Sequence, residues 1–438
     1  MIRFLILFLV SVLSFSSDGF ASSSLFSSDI KATFEHAKQT KKSVIIDFYG
    51  IWCPPCNQMD ETVFDTPSFI QKAAGFELLK VDADAESSWQ LKNKYKVGGY
   101  PTILFADPDG NEIYRVVGSR SPSEFFRVMT MVQGSKAKSY QQACKSNNTD
   151  DLWRCALTCG ERKDKVCAEK AYAKLEKKLK KGTARYELAR TYFVENAENE
   201  DLKRDGYERL LTEFPDSPLA LVWSMDYLNG YKTGQPTDAK KKLVEKVVAR
   251  SQAMLTDERR EEIGMAPTDV LEARAELLSK LGRVEESKQA WKEAADKLEA
   301  LSSKLPADVS PRGFAMERIE CLESAGDIDG ALKLTAQFRA LYPKEFTFHF
   351  LGARVLQDGK RYPEALPVAQ QAYDVSYGDN KIRAAILLLQ LYATVPNKEA
   401  GKKIYEEVSK EKHPEASLEV RTHRYLKQLD AVWKKLNS

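Results

Sequence analysis

The chain has 438 residues, 43% hydrophobic and 29% charged, and its 66 Lys and Arg nearly balance 63 Asp and Glu, for a formal net charge of +3. Such a balance offers no broad basic field, so neither nucleic acid nor an anionic membrane surface is expected as a partner. The length suits about three domains, and the 7 cysteines make disulfide or redox chemistry a question from the start.

Met1-Ile2-Arg3 precedes an apolar stretch from Phe4 to Leu13. It is too short for a membrane span, which takes about 20 apolar residues, and reads as a secretory signal over residues 1–21, with Gly19-Phe20-Ala21 at the cleavage site. No later segment reads as a span, so none is expected after cleavage. Export would place the cysteines in an oxidising compartment, where pairs become disulfides.

Residues 22–134 read as an α/β domain. After a polar leader, Ser22 to Ser28, an amphipathic helix is expected over Asp29 to Lys38. Strand-like runs follow at Ser43 to Tyr49, Phe76 to Val81, Thr102 to Ala106 and Glu112 to Val117. Asp107-Pro108-Asp109-Gly110 is a turn signal that makes the last two a hairpin. The mixed order implies a central sheet flanked by helices.

Directly after the first run come Trp52 and then Cys53-Pro54-Pro55-Cys56. Two cysteines at this spacing close into a disulfide or open to a dithiol, and a helix starting there stabilises the thiolate of the first. Zinc ribbons share the spacing but need a second pair of soft ligands. No other Cys-x-x-Cys occurs, so redox exchange is expected, with no metal and no cofactor beyond the Cys53–Cys56 disulfide. Cys53 is the expected exposed member.

Residues 135–182 contain Cys144, Cys155, Cys159 and Cys167 among short helical stretches, with Asn148 as an N-cap signal and Gly160 as a stop. Cys155 and Cys159 fall on one helix face. Bonding them to each other would strain the helix, so each is expected to pair outward with Cys144 and Cys167, in either order.

Residues 183–438 read as all-helical and repetitive. Gly282-Arg283-Val284-Glu285-Glu286-Ser287, Gly326-Asp327-Ile328-Asp329-Gly330-Ala331 and Gly359-Lys360-Arg361-Tyr362-Pro363-Glu364-Ala365 resemble the inter-helix turn of tetratricopeptide repeats, with weaker copies ending at Phe214-Pro215 and near Pro414. Such units stack into a solenoid because one alone cannot bury its apolar face. A protein partner is expected on it. Cys321, alone in a repeat helix, is expected as a buried apolar residue.

Val44 to Gln58, Leu78 to Asp84, Val97 to Phe105 and Gly110 to Gly118, in this order, resemble the thioredoxin superfamily, and within it the C-terminal domain of bacterial periplasmic thiol:disulfide interchange proteins. The resemblance covers residues 28 to 134. It implies that Asp47 is the buried acid serving Cys56, with Lys80 beside it. It also implies that Pro101 is a cis-proline next to the cysteines, preceded by Tyr100, and that Trp52 covers the disulfide. Trp52, Tyr100 and Pro101 would thus contact substrate. The Pro-Pro dipeptide departs from the Gly-Pro of thioredoxin, and Tyr100 is as in protein disulfide isomerases, so the direction of electron flow stays open.

The expectation is a periplasmic thiol-disulfide oxidoreductase, reducing client proteins with electrons from a donor protein, with repeats that hold clients or partners. An oxidase or isomerase is the alternative within the class. A chaperone or assembly scaffold, using the first domain only for docking, is the alternative outside it.

Overall fold

β-Branched and aromatic runs form strands where both of their faces can be buried. In the computed structural model, which describes residues 25–134, 139–230, 237–411, 413–414 and 420–437, four such runs make one sheet in the order β2-β1-β3-β4. They are β1 Ser43–Tyr49, β2 Phe76–Asp82, β3 Thr102–Ala106 and β4 Glu112–Val117. β1 runs parallel to β2 and antiparallel to β3, and β3 and β4 form the expected hairpin, with Gly110 at a φ of +78° in its turn. The expected signal sequence lies outside the described residues.

Helices α1 Ile30–Thr40, α2 Pro54–Met59, α3 Pro67–Ala73, α4 Trp89–Tyr95 and α5 Pro122–Gly134 cover the sheet. One face packs Ile45, Met59, Phe64, Phe69, Phe105 and Phe125; the other packs Val44, Ile46, Phe48, Leu79, Leu104 and Tyr95. β1 is therefore buried on both sides, which explains its unbroken apolar run. Ser27 of the leader bridges to Leu79 along the outer edge of β2 and shields that edge.

Three helices follow: α6 Tyr140–Ala143, α7 Thr149–Glu161 and α8 Lys165–Glu176. Asn148 caps α7 by accepting from the amides of Asp150 and Asp151. Gly160 does not stop α7; the left-handed residue that turns the chain is Lys163, at a φ of +58°. Cys144 bonds to Cys155, and Cys159 to Cys167, which resolves the pairing that the sequence left open. Arg162 pairs with Glu112 at 2.9 Å, tying this segment to β4.

The remainder is a stack of helices. They are α9 Ala184–Glu195, α10 Glu200–Glu213, α11 Leu219–Asn229, α12 Asp238–Met254, α13 Arg259–Ile263, α14 Pro267–Lys280, α15 Val284–Ser302, α16 Arg312–Ala325, α17 Ile328–Leu341, α18 Phe346–Asp358, α19 Tyr362–Asp374, α20 Gly378–Thr394, α21 Lys398–Lys410 and α22 Val420–Asn437. Successive ones pack together, save the short α13, which packs on α9. The expected turns fall between α14 and α15, α16 and α17, and α18 and α19. Gly282 and Gly326 take left-handed conformations there, at φ +79° and +87°. In the third turn Lys360, at +59°, takes that role instead of Gly359. Cys321 is buried against Glu272, and burial pushes its thiol pKa up. Among the described residues no helix is long and apolar enough to cross a membrane.

Candidate active site

α2 starts immediately after the dithiol's first cysteine because Pro54 and Pro55 pre-set the helical φ and need no amide partner at that position. Cys53 is the N-cap residue, and its sulfur accepts a hydrogen bond from the Cys56 amide at 3.2 Å. The two cysteines are joined as a disulfide, with Cα atoms 5.3 Å apart. Once the bond is opened, the same cap amide and the dipole of the helix favour negative charge on Cys53.

The strand register explains the charged group in the same domain. Asp47 on β1 lies directly opposite Lys80 on β2, so both side chains project to one face of the sheet. Asp47 is 1% exposed, and Lys80 Nζ stands 3.6 Å from its Oδ2, at ion-pair rather than hydrogen-bond range. Burial pushes the Asp47 carboxyl up to about 7, against the opposing pull of Lys80. Lys80 is bound more tightly by Asp60, a residue the sequence did not single out. Its pKa stays above the ordinary value although burial works against it, because Asp60 and Asp47 hold the charge. The cation also lies 4.7 Å from the centre of the Tyr49 ring.

The Tyr100–Pro101 bond is cis, and the Pro101 carbonyl accepts from the Gly118 amide at 2.9 Å. Trp52 packs edge-on against Tyr100, with ring centres 5.8 Å apart. Its indole N–H donates to Asp84 at 2.6 Å.

One expectation is overturned. Cys53 is not an exposed sulfur: it is 3% exposed and Cys56 2%. The repeat helices pack on the residues that flank the dithiol, Ile51, Pro54, Asn57 and Gln58. Gly313, in the first turn of α16, donates its amide to Glu61 at 2.5 Å, and Arg312 and Thr347 both donate to the carbonyl of Ile51. Asp84 accepts from Asn380 at 3.0 Å and Arg421 at 2.7 Å besides Trp52. Glu61, Asp84, Gly313 and Arg421 carry no local sequence signal, since each acquires its meaning only from a partner far along the chain.

As for metals, the four linker sulfurs lie within 4.8 Å of one another. Joined as two disulfides, they offer no thiolates to a metal ion.

Sheet order, cis-proline and capped dithiol together define a thioredoxin-like domain, and the stacked helix pairs with their left-handed turns form a tetratricopeptide-like helical-repeat region after it. Residues 30–133 match the family model described as a thioredoxin-like domain. The chain is 28% identical over 112 residues to the thiol:disulfide interchange protein DsbD of Pseudomonas fluorescens, covering 25% of this chain and 19% of that protein. It thus spans only 13% to 20% of the length of the curated relatives it matches. Among solved structures it overlaps a thioredoxin from Thermus thermophilus, at 28% identity and a TM-score of 0.24, over 26% of this chain and 89% of the other. It also overlaps a tetratricopeptide repeat protein from Parabacteroides merdae, at 12% identity and a TM-score of 0.37, over 64% of this chain and 98% of the other.

Proposed function

We propose that the chain is an exported thiol-disulfide oxidoreductase of the periplasm, reducing protein disulfides through Cys53 and Cys56. The observation that carries the reading is the Cys53–Cys56 disulfide at the head of a helix. The match of residues 30–133 to a thioredoxin-like domain and the 28% identity over 112 residues to a thiol:disulfide interchange protein support it.

In the reduced form the Cys53 thiolate attacks one sulfur of a client disulfide, and the other client sulfur leaves as a thiolate. Asp47 takes the Cys56 proton, and the Cys56 thiolate attacks Cys53 in the mixed disulfide. The client departs with two thiols, and Cys53 and Cys56 are bonded again. Two electrons have passed from protein to client, and a donor protein bearing a dithiol must return them. The helical repeats serve protein recognition.

Equilibration with graded glutathione mixtures tests the direction. A potential near the about −270 mV of thioredoxins is expected, whereas one near the about −120 mV of strong oxidants would overturn the reducing assignment. The burial of both sulfurs favours a second reading, a scaffold in which the first domain serves only for docking. Catalytic turnover of insulin disulfides by the full chain supplied with a dithiol speaks against the scaffold.

A further inference from the structure

A client must reach Cys53, yet the repeats occupy the space it needs. At Gly313 the approach is so close that a methyl group would stand 2.6 Å from the backbone nitrogen of Gln58 and 2.9 Å from the carbonyl of Pro54, within the dithiol helix. Gln58 bonds to Glu317 one turn further along α16. At Gly378, the first residue of α20, a methyl group would stand 2.4 Å from the Asp84 carbonyl.

Most of the polar pairs across this contact run from donors on the repeats to acceptors on the thioredoxin-like domain, with Gln58 donating to Glu317 in the opposite sense. The thioredoxin-like face presents carboxylates, Glu61, Asp82 and Asp84, around the aromatic pair Trp52 and Tyr100. The repeats answer with cations, a helix N-terminus and hydroxyls. Arg421 lies 5.0 Å from the Trp52 ring centre and 5.3 Å from that of Tyr100 while bonding to Asp84, and Arg383 lies 5.3 Å from Trp52. Tyr377 donates to Asp82. Trp52 and Tyr100 are the residues expected to meet substrate, so Arg421 occupies the client's position.

The contact is also built to separate. Arg421 has Asp379 at 2.7 Å on its own side, and Asp84 retains the Trp52 indole on the other. Opening therefore leaves neither charge stranded without a partner, and water can solvate the rest. Ile51 and Trp52, which pack against the apolar core of the repeats, are the apolar groups that opening newly exposes.

We propose that the repeats are a pseudo-client for the dithiol: in the closed state Arg421 and the N-terminus of α16 hold the active-site face, and a client carrying arginine beside its disulfide displaces them. The inference rests on the oxidoreductase reading for its purpose, but its test does not depend on turnover.

The oxidised full chain is exposed to glutathione and to two short peptides, one with arginines and one with glutamates flanking a cysteine. Opening of Cys53–Cys56 is followed by alkylation and peptide mapping, in the native chain, in the chain unfolded in urea, and in the variants Gly313→Leu and Arg421→Glu. The native chain is expected to react with glutathione at least roughly tenfold more slowly than the unfolded chain, and either variant to regain most of that factor. The arginine peptide is expected to exceed the glutamate peptide by a larger ratio in the folded chain than in the unfolded one. Native and unfolded rates that agree would overturn the cover even if no variant folds. Equal peptide ratios in both states would overturn the pseudo-client assignment. If the variants react with small thiols but turn over no insulin, the cover stands and the oxidoreductase reading falls.

Discussion

The Glu61 carboxylate receives the Gly313 amide at 2.5 Å, and by this bond the segment just after the dithiol helix caps the first turn of α16, some 250 residues further along the chain. α16 has no side-chain cap of its own. The acid that satisfies its N-terminus comes from the other domain, where the helix dipole also favours it.

That contact gives stability a pH dependence. Burial raises Glu61 from 4.5 to about 8 and Asp47 from 3.8 to about 7, although the amides of Gly313 and Phe314 pull Glu61 down. The native chain thus binds these protons more tightly than the unfolded chain, so stability is highest at and below the unfolded values. It falls as pH rises through the interval up to the folded values, by at most about 1.4 kcal/mol per pH unit for each group. Thermal melts from about pH 5 to about pH 8 should show the decline, and Glu61→Gln should flatten its upper part. A melting temperature that rises with pH across this interval contradicts the assignment.

Asp47 should govern resolution of the mixed disulfide. Ionised, it can accept the Cys56 proton; protonated, it cannot, so the resolving rate should drop as pH falls below about 7. Asp47→Asn should slow decay of a preformed mixed disulfide by roughly 10²-fold and remove that limb. Stopped-flow decay curves across pH provide the measurement. An unchanged profile in the variant removes Asp47 from the mechanism.

Cys56→Ser should hold clients on Cys53. Without the resolving thiol the mixed disulfide persists, and non-reducing gels of cells that express the variant should show covalent adducts that dithiothreitol releases. Combining the substitution with Gly313→Leu should increase their yield, because the approach to Cys53 is then open. No adduct in either background argues against catalysis.

The linker disulfides should act on stability alone. Replacing Cys159 and Cys167 together by serine removes a bridge across 8 residues of sequence separation and should cost about 2–4 kcal/mol. The potential of Cys53–Cys56 should not move. A shift in that potential would mean that the two centres communicate.

Much of the thioredoxin-like domain could be read locally. β1, β3 and β4 have the bounds expected from their apolar runs, and β2 extends by one residue to Asp82. Asp47 needed the family resemblance, because a carboxylate inside an apolar run has no local reason to be there; the pairing of its strand with Lys80 supplies one. Asp60 went unnoticed because it reaches Lys80 from the helical segment after α2 rather than from a paired strand. In the repeats the glycine turns were legible, yet Lys360 there, and Lys163 in the segment before them, show that a left-handed position need not carry glycine when the helices around it hold the chain.

The sequence by itself determined the dithiol, the sheet that carries it and the stacking of helix pairs, because strand burial, helix capping and repeat periodicity act over a few residues. Where those helices come to rest was decided by tertiary structure alone. Gly313 against Gln58 and Arg421 against Asp84 are encounters between segments about 250 to 340 residues apart, set by the accumulated geometry of every helix between them. No local pattern encodes that sum, and so the sulfur read as exposed is one the folded chain covers.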